Sequence, residues 1–364
     1  MHKTSAWPLS LVYVGLIVYA SLYPFSDVRD QGIVPWAFVL APWPKYWTWF
    51  DLISNFLGYM PLGALLALSA LRTGRGRHAI LVPALVGAAL SFFMETAQSY
   101  LPQRVPSNVD WALNSAGTVF GAVFAALLER FGAIDHWSRF RGRWFVRDAR
   151  GGLVLLALWP VALLFPPAVP LGLGQVFERL EATLADALQG TPFLELLPVR
   201  EIELQPLLPI SELVCVMLGA LVPCLVGYCI ISSRVRRLVL ALGVLAAGVA
   251  TSALSAALSY GPSHAWAWFD LPVEVGLIGA LVLAVLLLPL SRRAAAGLVL
   301  LGLGVNLSLL NQAPASAYFS QALQAWEQGR FIRFHGLAQW VGWIWPYATL
   351  VYVMAQVSSS EGKN

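Results

Sequence analysis

The chain has 364 residues, of which 58% are apolar and only 12% are charged. Soluble domains carry about 25% charged residues, so this composition excludes an ordinary soluble protein and indicates a polytopic membrane protein. The net charge of +4 is spread over short turns without an RNA- or DNA-binding pattern. It therefore does not indicate a nucleic-acid partner.

Apolar runs recur from near the first residue almost to the last. A helix needs roughly 20 residues to cross a hydrocarbon core of about 30 Å, and these runs predict an all-α fold with about ten transmembrane helices. The first run ends in Tyr23, Pro24 and Phe25 rather than in a small-residue cleavage site, which predicts that it is retained. The predicted spans are residues 8–24, 52–71, 79–100, 109–128, 151–169, 210–231, 238–258, 271–290, 294–310 and 334–356.

The basic residues predict the orientation, because Lys and Arg side chains resist translocation. With the N-terminus in the cytoplasm, most of them fall in cytoplasmic turns at 72–77, 129–150, 234–237 and 292–293. Both termini are then expected to be cytoplasmic.

A basic segment at 129–150 divides the chain. It carries six arginines among Trp and Phe residues, a composition typical of an amphipathic stretch on the inner membrane surface. We predict a four-helix membrane domain at 1–128, this linker at 129–150, and a six-helix membrane domain at 151–364. The last contains an outer amphipathic segment at about 170–209, which either caps the bundle or forms a solvated loop.

Three cysteines, Cys215, Cys224 and Cys229, lie in or beside the sixth span without Cys-x-x-Cys spacing or a nearby His. We predict that they are buried as small apolar side chains. The sequence contains no metal-binding or nucleotide-binding motif, and no metal or cofactor is expected.

The first outer loop, about residues 25–51, clusters Trp36, Trp43, Trp47 and Trp49. Such clustering is typical of an interfacial aromatic belt, with a short helix on the outer surface. A platform for stacking sugars is the alternative.

Polar residues gather at the outer ends of spans two to four. Asp51, Asn55 and Tyr59 are four residues apart and share one face of the second span, so the polar stripe starts at the outer surface and runs inward. The structural alternative makes Asp51 a helix N-cap and Asn55 an interhelical hydrogen-bonding residue.

On span three, Glu95 lies on the order of 24 Å along the axis from the inner end, at 1.5 Å per residue, and Gln98 points to the same side. Arg104 follows in the turn, and Asp110 and Asn114 open span four. The segment from Ser107 to Asp110 also resembles a capping box with Asp in place of Glu. For Glu95, the sequence indicates no role at a helix end.

The second half contributes weaker candidates. Asp270 and Glu274 share one face at the entry of span eight, where electrostatics at the helix start is the alternative to a functional role. His264 and His335 lie in or beside outer loops of the same half. One His per loop is too little to indicate a metal site.

Within residues about 9–128 the sequence contains an ordered set of residues, namely Asn55, Gly58, Pro61, Leu62, Gly63, Glu95, Gln98, Arg104, Asp110, Asn114, Gly117 and Gly121. By this set the segment resembles the VanZ-like family of integral membrane proteins, named for a protein associated with teicoplanin resistance. The resemblance implies a protein of the bacterial cell envelope, in the cytoplasmic (inner) membrane, linked to glycopeptide resistance or to surface glycans. It leaves the biochemical activity open.

These residues support three hypotheses for function. In the first, spans one to four form an outward-facing pocket that binds an envelope lipid or lipid-linked glycan, with Glu95, Arg104, Asp110 and Asn114 at its polar centre. In the second, Glu95 or Asp110 is the general base of a membrane enzyme acting on such a headgroup. The third is a transporter or flippase, against which no span carries a charged residue near its midpoint.

The chemistry of the ligand stays open between two classes. Helix N-termini beside Arg104 favour a phosphate. Because Asp51, Glu95 and Asp110 add three acids, a cation-bridged phosphate, or an amine- or sugar-bearing headgroup, fits the charge better.

Overall fold

The computed structural model describes residues 6–22, 27–44, 49–146, 148–196, 204–314 and 332–361. Within these ranges the secondary structure is entirely helical, which confirms the predicted all-α class. The α-helices are α1 (Ala6–Leu22), α2 (Trp49–Arg72), α3 (Leu81–Gln98), α4 (Asn108–Arg130), α5 (Ala133–Trp144), α6 (Arg150–Leu163), α7 (Phe177–Ala187), α8 (Pro209–Ile230), α9 (Arg234–Tyr260), α10 (Leu271–Leu286), α11 (Arg292–Leu310) and α12 (Ile332–Glu361).

Each of the ten predicted spans overlaps one of these helices. Among the described residues, six helices are long and apolar enough to cross a membrane, namely α2, α3, α4, α8, α9 and α11. Helices α1, α6 and α10 are apolar but shorter. The chain is therefore a helical membrane protein, while the count of ten spans and the side on which the termini lie stay predictions.

The chain divides into two compact units, residues 1–140 and 141–364. The division falls inside the predicted linker, within helix α5. The exposed rings of Trp137 and Phe140 stack on this helix, with 5.6 Å between their centroids. Arg141 and Arg143 follow in its last turn, so the predicted mixture of basic and aromatic side chains lies on a helix.

In the first unit, α2 and α4 form the most extensive helix pair. Glycines make this contact possible, because a Cβ atom at Gly117 would overlap the carbonyl oxygen of Phe56, and one at Gly121 would overlap that of Met60. A Cβ atom at Gly63 would likewise overlap the backbone of Thr118. Gly117 and Gly121 form a Gly-x-x-x-Gly pair, a pattern that allows two helices to approach this closely.

In the second unit, α8 is the central helix and packs on α6, α9, α10 and α11. The three cysteines, Cys215, Cys224 and Cys229, are buried on it as predicted. Arg237 was expected in a cytoplasmic turn, yet its side chain is only 3% exposed.

The buried guanidinium of Arg237 joins three helix ends. It donates hydrogen bonds to the carbonyl oxygens of Tyr228 and Ile231, in and just after the last turn of α8, and of Leu288 and Leu290 after α10, at 2.6–2.9 Å. It also lies 5.3 Å from the centre of the Tyr228 ring. Its role is structural, because carbonyls at helix C-termini lack intrahelical partners.

The predicted amphipathic segment contains helix α7, whose N-terminus is fixed by Asn311. The side-chain oxygen of Asn311 accepts hydrogen bonds from the amides of Val176 and Phe177, both at 3.1 Å. Gln175 donates to two carbonyls at and after the end of α11. These contacts attach the start of the segment to its unit, while residues 197–203 lie outside the described ranges.

Candidate functional site

The polar stripe on α2 runs from the surface into the helix bundle of the first unit. Asp51 is exposed, Asn55 is half-buried, and Tyr59 is only 5% exposed. Asp51 lies in the first turn of α2, so it is not the N-cap of that helix, although its charge suits a helix start. The side chain of Asn55 makes no hydrogen bond among the described residues, so it does not link two helices there.

Tyr59 projects between α1 and α3, where its ring packs with Ile17, Leu62 and Met94. Its hydroxyl group is close enough to the hydroxyl groups of Ser21 and Ser91 to interact with them, and it interacts electrostatically with the carboxylate of Glu95. None of these groups meets it with hydrogen-bonding geometry, so the Tyr59 hydroxyl forms no hydrogen bond among the described residues. A buried hydroxyl in this condition costs about 1–3 kcal/mol, which marks the position as unusual.

Asn114 on α4 provides a second unpaired atom. Its side chain is 4% exposed, and its Nδ2 atom donates to the hydroxyl oxygen of Ser91 at 2.9 Å. Its Oδ1 atom is buried and has no hydrogen-bond partner among the described residues. Since the Tyr59 hydroxyl also lies beside Ser91, the two unpaired atoms flank one serine. Tyr59, Ser91, Glu95 and Asn114 are called the polar cluster below.

Glu95 lies on the same face of α3 as Ser91, one turn nearer the end of the helix, and is 3% exposed. Its Oε2 atom accepts a hydrogen bond of 2.8 Å from the amide of Ser107, the N-cap of α4. The hydroxyl of Ser107 in turn accepts from the amide of Asp110 at 3.3 Å. The predicted lack of a helix-end role for Glu95 was therefore wrong, because this carboxylate takes the part that the Glu of a capping box usually plays.

Gln98 and Arg104 both bind the end of α1. The Gln98 amide donates to the carbonyl oxygen of Ser21 at 3.1 Å, and the Arg104 guanidinium donates to that of Ala20 at 3.4 Å. These carbonyls belong to the last turn of α1, where intrahelical donors are missing and a positive charge is favourable. Both residues thus hold α1 against α3 and the turn after it.

Part of the first outer loop covers this end of the unit. The amide of Arg29 donates to the carbonyl of Tyr100 at 3.0 Å, and the Gln31 side chain donates to that of Ser99 at 2.7 Å. Phe38, in the short 3-10 helix Ala37–Leu40, is buried against Phe92 and Trp111. The predicted short helix is present, and it packs on α3 and α4.

The tryptophans of this loop point outward where they are described. Trp36, Trp43 and Trp49 are 62%, 80% and 72% exposed, whereas Trp47 lies outside the described residues. Exposed indole rings suit the boundary between lipid and water. The aromatic belt stays a prediction that these exposures favour.

The structure thus separates the predicted site residues by position. Glu95, Gln98, Arg104 and Asp110 meet around the ends of α1, α3 and α4, and Asn114 lies deeper, with Ser91 and Tyr59. Two amides at the N-terminus of α4 already have acceptors. The Glu95 carboxylate accepts from the amide of Ser107, and the Ser107 hydroxyl accepts from the amide of Asp110. This occupation argues against an open phosphate site at that helix end.

The secondary candidates lie in the second unit. Asp270 is the N-cap of α10, and its Oδ1 atom accepts from the amide of Val273 at 3.1 Å. Glu274 and His264 are exposed, and the side chain of His335 lies outside the described residues. Asp270 therefore has the helix-start role that the sequence offered as the alternative.

The sequence did not single out Ser91, and it did not reveal the partner of Ser107. Ser91 is a single small polar residue in an apolar helix, a pattern that rarely signals function. Ser107 was recognised as a cap, but its partner Glu95 is twelve residues away and outside the local capping pattern. Among the described residues, no group of three or more His, Cys, Asp or Glu side chains could hold a metal ion.

Residues 8–129 match the family model described as VanZ/LLP1. The N-terminal third of the chain is therefore similar to this family. The matched range contains α1 to α4, the polar cluster and Arg104, so the VanZ-like domain, residues 8–129, holds all of the first candidate set. No curated protein and no solved structure matches the chain.

Proposed function

We propose that the VanZ-like domain binds the polar headgroup of an envelope lipid, or of a lipid-linked glycan, in its polar cluster. The observation that carries this proposal is the pair of buried unpaired atoms, the Tyr59 hydroxyl and Asn114 Oδ1. A protein with two such atoms among apolar helices is stabilised by a ligand that forms hydrogen bonds with them. Each pairing recovers part of the 1–3 kcal/mol that an unsatisfied buried group costs, in order of magnitude.

The path to the cluster suits a ligand from the membrane. Exposure falls along α2 from Asp51 through Asn55 to Tyr59, so polar groups line a route from the surface inward. By the predicted topology this route starts at the outer leaflet of a bacterial cytoplasmic membrane. The exposed tryptophans of the adjoining loop lie where they would contact lipid headgroups.

Acid–base chemistry at Glu95 is the second candidate function. One observation favours it, namely that the Glu95 carboxylate is buried and interacts electrostatically with the Tyr59 hydroxyl. A carboxylate in this position can accept a proton from a bound headgroup. Because Glu95 also accepts the Ser107 amide, a binding role needs fewer assumptions. Incubation of the purified protein with radiolabelled lipid-linked sugar separates the two, since only an enzyme changes the product.

Retention of native lipid tests the binding proposal. The full chain and its Tyr59→Phe and Asn114→Ala variants are purified in mild detergent, and co-purifying lipids are counted by native mass spectrometry. We expect wild type to retain a headgroup-bearing lipid that both variants lose in large part. Equal retention by all three folded proteins would contradict the proposal.

Tyr13→Phe is the matched control for this experiment. It removes the same atom from a tyrosine of the same unit, whose hydroxyl donates to the carbonyl of Gly58 at 2.9 Å. Because Tyr13 already has its partner, this variant is expected to retain lipid as wild type does.

A further inference from the structure

We infer that the group bound by the polar cluster is an uncharged hydroxyl, as carried by a sugar or polyol headgroup, and that phosphate is excluded from this depth. The inference rests on the proposed function. It concerns the part of the ligand that reaches Tyr59 and Asn114, not the part that remains at the surface.

The hydrogen-bonding inventory of the cluster leads to this choice. Asn114 Oδ1 can only accept, so it requires a donor from the ligand. The Tyr59 hydroxyl carries a hydrogen that requires an acceptor. A hydroxyl group both donates and accepts and can therefore pair with either atom. An ionised phosphate offers acceptors alone and leaves Asn114 Oδ1 unpaired.

The two unpaired atoms share one neighbour. The hydroxyl oxygen of Ser91 accepts from Asn114 Nδ2 at 2.9 Å, and Ser91 also interacts with the Tyr59 hydroxyl. A sugar ring carries adjacent hydroxyls, which suits two hydrogen-bonding residues grouped around one serine.

Charge gives a second reason why the cluster favours a hydroxyl group over a phosphate. The carboxylate of Glu95 is buried and interacts electrostatically with Tyr59, and a like charge brought into such a site is unfavourable. A phosphate at the cluster would therefore meet a carboxylate on α3.

An ammonium group is the remaining competitor, and the cluster fits it less well. It would pair with Asn114 Oδ1, but it cannot accept from the Tyr59 hydroxyl. A buried cation also requires a carboxylate with free capacity. Glu95 already accepts the Ser107 amide and makes a further interaction.

Three lipids with identical dioleoyl chains test the inference, namely monoglucosyl diacylglycerol, phosphatidic acid and phosphatidylethanolamine. Each is titrated against the full chain, stripped of lipid in detergent, and affinity is read by native mass spectrometry. We expect the glucosyl lipid to bind at least about tenfold more tightly than either phospholipid, a difference of about 1.4 kcal/mol. Tyr59→Phe should weaken its binding about fivefold, as expected for one lost neutral hydrogen bond.

Glu95→Gln examines the charge argument. The substitution keeps an oxygen that can accept the Ser107 amide but removes the negative charge. We expect phosphatidic acid to gain affinity, so that its disadvantage against the glucosyl lipid shrinks to about threefold or less, the equivalent of losing about half of one tenfold step. An unchanged ratio would contradict the exclusion of phosphate by Glu95.

The outcomes distinguish this inference from the function on which it rests. If either phospholipid binds as tightly as the glucosyl lipid, and Tyr59→Phe weakens that binding, the cluster is a lipid site and the hydroxyl inference is wrong. If Tyr59→Phe and Asn114→Ala change none of the three affinities, the proposed function itself fails. Tyr13→Phe again serves as the control that should leave every affinity unchanged.

Discussion

Replacement of Tyr59 by Phe should stabilise the lipid-free protein. The substitution removes one oxygen atom and leaves the ring that packs with Ile17, Leu62 and Met94. Because the hydroxyl is buried without a hydrogen-bond partner, no favourable contact is lost with it. Relief of the unsatisfied group should raise the free energy of unfolding by about 1–2 kcal/mol, toward the lower end of the usual 1–3 kcal/mol cost.

Replacement of Tyr13 by Phe should instead lower the free energy of unfolding. The Tyr13 hydroxyl donates to the carbonyl of Gly58 at 2.9 Å, and loss of one such bond lowers the free energy of unfolding by about 1 kcal/mol. The two Tyr-to-Phe variants of one unit should therefore differ by about 2–3 kcal/mol, the sum of these two effects.

Unfolding by SDS in mixed micelles measures this difference. Lipid-free samples of wild type, Tyr59→Phe and Tyr13→Phe are compared. When a headgroup lipid is added in excess, the advantage of Tyr59→Phe should shrink or reverse, because a ligand stabilises the protein that binds it better. A loss of stability in lipid-free Tyr59→Phe as large as that in Tyr13→Phe would refute the reasoning, since the Tyr59 hydroxyl would then have a partner.

Three further predictions concern packing, the second unit and topology. Gly121→Ala should destabilise the protein by about 1–3 kcal/mol through overpacking, whereas Gly58→Ala, which has open space around it, should be neutral or stabilising in the same SDS titration. Arg237→Met should lower the free energy of unfolding by about 3 kcal/mol or more, because four carbonyls lose a charged donor. Arg234→Gln, at an exposed position, should leave it almost unchanged. Equal thermal stability of the two variants would contradict the structural role of Arg237. Asn55→Cys should react with a membrane-impermeant maleimide added outside intact cells, and labelling only after lysis would reverse the proposed orientation.

The sequence was most informative about where the helices lie and how deeply the polar residues of α2 are buried. Apolar runs located each of the six helices that, among the described residues, are long and apolar enough to span a membrane. This works because a backbone in lipid must satisfy its own hydrogen bonds, and a single segment can do so only as a helix. The four-residue spacing of Asp51, Asn55 and Tyr59 predicted a stripe running inward, and their exposures follow that order.

The partners of the polar residues could not be predicted in the same way. The amide of Ser107 pairs with Glu95 on the preceding helix rather than with Asp110 in its own first turn. Gln98 and Arg104 bind carbonyls of α1, more than seventy residues earlier in the chain. Such contacts depend on the tertiary packing of several helices, which no local pattern records.

Arg237 illustrates a further limit. The positive-inside rule counts it with its exposed neighbours, because the rule uses only residue type and distance from a span. In the structure it is buried among carbonyls of two helix ends. Nothing in the sequence distinguishes it from Arg234, since the acceptors are backbone atoms that every residue possesses.

A high-resolution structure of the full chain in a nanodisc that contains a glucosyl lipid tests the central claim most directly. The account predicts density for a lipid headgroup, with an oxygen atom within about 2.5–3.2 Å of both the Tyr59 hydroxyl and Asn114 Oδ1, or of each through adjacent hydroxyls. Density for ordered water alone at these two atoms, with the lipid elsewhere, would contradict it.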